Sequence, residues 1–193
     1  LAAFRLPVQY VNRPNLDFRG FCGTIAAGHI RPGDTVRALP GGKSSKVKAI
    51  VTADGELDYA HAGQAITLTL EDEIDISRGD MIVNSEEVPV QTKQIEAMMC
   101  WLSETPLSPE RTYWLRHTTR EVKAKVASIA HRVDINTLAN DSATTLAMND
   151  IARLTLKLAQ PVFADSYTES RATGAFILID ESTNNTVGAG MIV

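Results

Sequence analysis

Hydrophobic and polar residues alternate along this chain in short bursts, with turn-forming residues between them. In IARLTLKLA (151–159), Leu154, Leu156 and Leu158 fall on one side and Arg153, Thr155 and Lys157 on the other. A period of two is the mark of a half-buried strand. Further strands are expected at FRLPVQYV (4–11), FCGTIAAG (21–28), TVRALP (35–40), SKVKAIVTA (45–53), QAITLTL (64–70) and MIV (81–83). They continue at QIEAMMCWL (94–102), TYWLRHTT (112–119), REVKAKVASIAHRV (120–133), GAFILID (174–180) and TVGAGMIV (186–193). No helical periodicity persists beyond two turns. Residues 136–150 form the main irregular stretch, with room for one short helical turn.

The punctuation fits strands joined by tight turns. Pro32-Gly33 suits a type II turn, because proline presets φ at the second position and glycine accepts the positive φ at the third. IRPGDTV and ISRGDMI share a Gly-Asp step before a strand, so one turn is expected twice. The segment 86–94 is polar and contains Pro89, which places a boundary there. The expected fold is all-β: two consecutive small β-barrels, residues 1–93 and 94–193, each large enough to bury its own core.

Charge narrows the functional classes. Ten Lys and Arg stand against twelve Asp and Glu up to Gln94, and nine against eleven after it, so each half carries −2 of the total −4. Nucleic-acid binding draws its affinity from a surplus of basic groups, and neither half has one. Cys22 and Cys100 show no zinc-type spacing and are expected to be reduced thiols in the cytoplasm. No apolar run reaches the roughly 18 residues of a membrane helix. The chain opens at Leu1 rather than methionine, as expected of a piece of something longer.

Several motifs tempt. Gly42-Lys43-Ser44 resembles the end of a phosphate-binding loop, but Arg37 occupies the position of the earlier glycine and a strand-like stretch follows. Such loops need a helix N-terminus facing the phosphates, so a hairpin turn is expected instead. Asp17-Phe18-Arg19-Gly20 matches the bare DxxG of a GTPase switch, without a guanine-reading motif to accompany it. Glu71-Asp72-Glu73 with Asp75 reads as a solvated acidic turn rather than a metal site. His29, His61, His117 and His131 lack partners in any recognisable motif.

Two stretches remain as candidate interfaces. Residues 111–132 carry Arg111, Arg116, Arg120, Lys123, Lys125 and Arg132 against Glu121 alone. Alternation in VKAKV places Lys123 and Lys125 on the outer face of a strand. The connection NRPNLD (12–17) crowds Asn12, Arg13, Asn15 and Asp17 around a proline. Polar loops on a rigid barrel are common sites of recognition.

At these residues a family resemblance emerges. GFCGTIAAGHIRPGDTV resembles the second domain of translational GTPases of the elongation-factor Tu superfamily, with Gly23-Thr24, Gly28 and Gly33-Asp34 in the signature positions. GQAITLTL and DISRGDMIV look like the end of the same barrel. More narrowly, VQYVNRPNLDFRGFCGT (8–24) and TGAFILIDESTNNTVGAGMI (173–192) resemble the large subunits of bacterial sulfate adenylyltransferase (ATP sulfurylase). WLRHTTREVKAKV (114–126) and VDINTL (133–138) fit their third domain.

That resemblance implies a GTPase subunit with an N-terminal G domain followed by two barrels. A small catalytic subunit transfers the adenylyl group of ATP to sulfate, and GTP hydrolysis drives the step. GTP and magnesium would then be held upstream of Leu1. This chain is expected to contain no catalytic, cofactor-binding or metal-binding residue, and to turn over nothing alone. Its partners would be its own G domain and the small subunit, met through Asn12, Arg13, Asn15 and Arg19 and through Arg116, His117, Arg120, Lys123 and Lys125. The alternative is a pair of tRNA- or RNA-binding barrels from a translation factor.

Overall fold

In the computed structural model the alternation of 151–159 is realised side chain by side chain: Leu154, Leu156 and Leu158 are buried while Lys157 is exposed and Arg153 and Thr155 are half-buried. The structure describes residues 2–15, 17–134 and 136–193. Leu16, inside the expected 12–17 connection, and Ile135, inside VDINTL, lie outside the described residues. The chain divides into two compact units, Leu1–Val90 and Gln91–Val193.

The first unit contains β1 (Arg5–Pro7), β2 (Tyr10–Asn15), β3 (Phe18–Thr24), β4 (His29–Ile30), β5 (Thr35–Leu39), β6 (Ser44–Thr52), β7 (Gly55–Leu57), β8 (Ala60–His61), β9 (Ala65–Leu70) and β10 (Met81–Asn84). The strand order is β1-β10-β5-β6-β9-β3-β2, with β7 beside β6 and a separate β4–β8 ladder. The two edges of this sheet are consecutive in the chain. The single strand expected over 4–11 is split, because β1 pairs with β10 and β2 with β3. At the switch, Val8 N donates to Asp80 O and Gln9 N to Cys22 O, each at 2.9 Å. One segment thus joins both edges around a core that includes Phe4, Leu6, Val8, Phe21, Ile50 and Leu68.

Gly23 of the Gly-Thr pair has a packing reason. A Cβ there would lie 2.3 Å from the Pro7 carbonyl oxygen, closer than any real contact, so only glycine lets β3 approach β1.

The second unit contains β11 (Val90–Trp101, whose first residue is the last of the first unit), β12 (Tyr113–His117), β13 (Arg120–Val133), β14 (Asn140–Asp141), β15 (Ile151–Ala164), α1 (Arg171–Gly174), β16 (Ala175–Asp180) and β17 (Thr186–Ile192). Its order β12-β16-β17-β11-β15-β13 returns to β12, which closes a six-stranded antiparallel barrel, with β14 paired to the end of β13. Closure leaves no barrel edge unpaired. Inside, Trp101 meets Tyr113 edge to face at 5.6 Å, and the Trp101 indole donates to Thr105 O at 2.9 Å. The helical turn expected within 136–150 is not there; among the described residues the one α-helical turn is α1. β11 also starts inside the polar 86–94 segment, because Ile95, Ala97, Met99 and Trp101 pull the whole run into the ladder.

The shared Gly-Asp turn is present and has a third copy. Asp34 Oδ2 accepts from Arg31 N (2.9 Å), Asp80 Oδ2 from Ser77 N (3.0 Å) and Asp150 Oδ2 from Ala147 N (2.8 Å). Each aspartate N donates back three residues, to Arg31 O, Ser77 O and Ala147 O. Gly33 and Gly79 have φ of 93° and 91°, and Asn149 takes the same place with φ of 72°.

Candidate functional site

The expected 12–17 loop is mostly strand. Asn12, Arg13 and Asn15 belong to β2, and the register slips between Asn12 and Asn15. Such a bulge leaves residues out of the ladder and re-aims their side chains, and here it turns Arg13 outward. Asn15 Oδ1 accepts from Asp17 N at 2.9 Å, so Asn15 serves the reversal into β3. Asn12 sits half-buried opposite Gly20.

Arg13 and Arg19 come together on one groove of about 390 Å³, lined on one side by Gln9, Tyr10, Val11 and Arg13 and on the other by Asp75, Ile76, Ser77 and Arg78. Arg19 Nη1 donates to Ile74 O at 3.2 Å and so ties β3 to that second wall. Tyr10 is 59% exposed. Three guanidiniums and one carboxylate therefore face a cleft beside an edge strand. Arg78 and Tyr10 escaped the sequence reading: ISRGD was legible as a turn, and its arginine lies near Arg13 only through the fold.

The basic stretch of the second unit is a different kind of surface. Arg111 pairs with Asp180 (3.6 Å), Lys123 with Glu181 (3.5 Å), and Arg132 with Asp141 and Asp150 (3.0 and 3.6 Å). Arg116 Nε donates to Glu121 at 2.7 Å. Arg120 donates to Pro161 O at 2.7 Å and lies over the Phe163 ring. Apart from Glu121, these acids come from elsewhere in the chain, so the local charge count overstated the field. Lys125 stands opposite Lys157 in the ladder and is exposed.

His117 cannot be an interface residue. It is fully buried, its Nε2 lies 2.5 Å from Thr173 O, and its Nδ1 has no hydrogen-bond partner among the described residues. Burial holds its pKa below the usual histidine value, against the raising effects of the Thr173 carbonyl and Asp165, with Arg120 adding to the lowering. His117 ends an inward-pointing series with Tyr113 and Leu115, which the alternation of TYWLRH already carried.

Another cluster was hidden by sequence distance. His29 and His61 face each other across β4 and β8. Tyr59 stacks on His29 at 5.7 Å, and Arg31 lies 4.7 Å from the Tyr59 centroid.

The phosphate-loop look-alike does not fit a nucleotide. Gly42, with φ of 86°, turns the chain between β5 and β6, and Ser44 begins a strand rather than a helix. Asp17-Phe18-Arg19-Gly20 runs directly into β3. Asp72 of the acidic turn is engaged with the Ser45 hydroxyl at 2.8 Å, and among the described residues no three His, Cys, Asp or Glu are grouped to hold a metal. Among them, too, no helix is long and apolar enough to cross a membrane.

Two antiparallel β units in succession, the second a closed six-stranded barrel, define the barrel class found in elongation-factor-type GTPases. Residues 94–193 match the family model "GTP-eEF1A C-terminal domain-like", and the chain belongs to that family. The crystal structure of Sup35 complexed with GDP superposes over 100% of this chain and 47% of that one, with a TM-score of 0.88 at 21% identity, a likeness of fold. Sulfate adenylyltransferase subunit 1 of Laribacter hongkongensis is 55% identical over 193 residues, 100% of this chain and 40% of the relative. The bifunctional enzyme CysN/CysC of Rhodopirellula baltica is 53% identical over 193 residues, 100% of this chain and 30% of the relative. The chain thus spans well under half the length of these relatives.

Proposed function

We propose that this chain is the two-barrel, non-catalytic region of the GTP-hydrolysing subunit of a sulfate adenylyltransferase, acting in sulfate assimilation in the cytoplasm. The carrying observation is the 55% identity that runs through all 193 residues to a sulfate adenylyltransferase subunit 1. In this reading residues 1–93 and 94–193 correspond to the second and third domains. An upstream G domain holds GTP and magnesium. A small subunit joins ATP and sulfate into adenosine 5′-phosphosulfate, releasing pyrophosphate.

The barrels then serve as rigid bodies between the GTP site and the partner. Coupling needs contacts that differ between nucleotide states, and rigid units transmit such differences. The Arg13–Arg19–Arg78 groove is the surface best suited to contact a partner, since its charges are not consumed by carboxylates of the chain. The ion-paired wall around Lys123 is the weaker candidate.

The test uses the full-length subunit with its small subunit. Arg13→Glu and Arg78→Glu should weaken association or uncouple GTP hydrolysis from adenosine 5′-phosphosulfate synthesis, while Lys123→Ala changes neither. Unaltered assembly and coupling in both arginine variants would remove the groove from this role. A wild-type subunit that neither binds GTP nor supports adenylyl transfer would remove the reading itself.

A further inference from the structure

We propose that the groove beside β2 binds an extended acidic peptide segment, added as a further strand along the outer edge of β2. The proposal rests on the reading of this groove as an interface and specifies what it accepts.

The backbone supplies the first argument. β2 stands at the end of the strand order and pairs with β3 alone among the described strands. Just before it, at Val8, the same edge is already taken by the 77–80 turn: Val8 N donates to Asp80 O, and Gly79 N donates to Val8 O, each at 2.9 Å. Beyond Val8, β2 and the 75–78 segment form the two walls of the groove instead of bonding to each other. A strand laid there continues the interaction that the turn begins. Edge strands accept added strands through main-chain hydrogen bonds, with side-chain pockets setting the preference. Pro14 lacks a donor and sits in the bulge, so pairing ends near Arg13. The free edge, residues 9–13, is roughly 16 Å long, room for about five residues.

Charge supplies the second argument. Arg13 and Arg78 face the groove from opposite walls, and neither makes an ion pair or hydrogen bond with any described residue. Arg19 is half-engaged on the Ile74 carbonyl, and Asp75 is the one acid in the lining. Guanidiniums left unpaired at a cleft match carboxylates, which they bind with charge-assisted hydrogen bonds. Exposed Tyr10 offers an apolar and hydroxyl-bearing contact for an alternate residue of the guest. A peptide fits better than a nucleic acid because each half of the chain carries −2, and the other arginine-rich surface is neutralised by its own acids.

The probes are a five-residue alternating Glu/Val peptide, its Lys/Val counterpart, a copy of the acidic peptide N-methylated at alternate residues, and a short oligouridylate. Binding to the chain is followed by amide chemical shifts of residues 9–13 and 75–78. Binding of the acidic peptide is expected, weakened about tenfold for each of Arg13→Glu and Arg78→Glu, with no binding of the lysine or N-methylated peptides. Neither arginine holds the fold, so both variants should stay folded, as amide spectra will show. Equal binding of the N-methylated peptide would overturn strand addition. Equal binding of the lysine peptide, or tighter binding of the oligouridylate, would overturn the acidic-peptide preference. Small-subunit association is measured alongside with the full-length protein. Association lost in the arginine variants without peptide binding keeps the interface and overturns the strand. Peptide binding with unaltered association supports the strand and removes this interface from the enzyme complex.

Discussion

Arg19 Nη1 on β3 donates to the carbonyl oxygen of Ile74 at 3.2 Å, and this bond fixes the wall of the groove that carries Asp75 and Arg78. Two residues 55 positions apart thereby set the width of one cleft. Arg19→Ala should destabilise the first unit by about 1 kcal/mol, the usual worth of a partly exposed hydrogen bond. Arg13→Ala, which breaks no bond, should stay within about 0.5 kcal/mol. Urea unfolding followed by amide spectra of the first unit checks both. Equal losses would show that Arg19 does not brace the wall.

The three Asp-closed turns predict an asymmetry. Gly33 and Gly79 accept positive φ freely, while Asn149 holds φ of 72° at some cost. Asn149→Gly should therefore stabilise the second unit, by roughly 0.5 kcal/mol. Asp150→Ala should cost about 1 kcal/mol, because Ala147 N loses its acceptor and Arg132 loses one carboxylate at 3.6 Å. Thermal unfolding resolves both changes, since 1 kcal/mol moves the midpoint by about 4–8 °C in a unit of this size.

The strands were legible in the sequence because side-chain alternation and turn formers act locally. Leu154, Leu156 and Leu158 announced their burial, and Pro32-Gly33 its turn. The split of β1 from β2 was not legible, since it depends on acceptors on two different segments, Asp80 O in the turn before β10 and Cys22 O in β3. The third turn was missed because Asn149 stands where the other two copies have glycine. Half of the groove was legible: Arg13 and Arg19 lie near each other in sequence, whereas Arg78 arrives only through the fold. The basic stretch misled for the converse reason, as its neutralising acids Asp141, Asp150, Asp180 and Glu181 lie outside it.

Glycine substitutions separate close packing from mere turn use. A Cβ at Gly23 would meet the Pro7 carbonyl oxygen at 2.3 Å, and one at Gly190 would meet the Phe176 ring at 2.3 Å. Phe176 is the cross-strand partner of Gly190, so its ring lies over the glycine. Gly23→Ala and Gly190→Ala should each cost about 2–3 kcal/mol, as overpacking does. Gly41→Ala, with open space around it, should stay within about 0.5 kcal/mol. Differential scanning calorimetry of the three variants distinguishes the cases, and a Gly23→Ala midpoint equal to that of Gly41→Ala would refute the close approach of β3 to β1.

His117 should give the second unit a pH-dependent stability. Its folded pKa lies below the ordinary value of 6.5 because burial disfavours the imidazolium, even with Asp165 nearby. The unfolded chain therefore binds a proton at a pH where the folded barrel does not. Stability falls as pH drops through about 6.5, with a slope approaching 1.4 kcal/mol per pH unit, and the decline ends once the pH passes below the folded pKa. Above pH 7 the residue is neutral in both states and contributes no slope. His117→Gln keeps a donor for the Thr173 carbonyl but cannot take up a proton, so its stability profile between pH 5 and 6.5 should be flatter than that of the unaltered chain, whatever its absolute stability. Urea midpoints of the second unit, read from Trp101 and Trp114 fluorescence across that range, test this directly. Parallel pH profiles for the two proteins would mean that His117 becomes protonated inside the folded barrel.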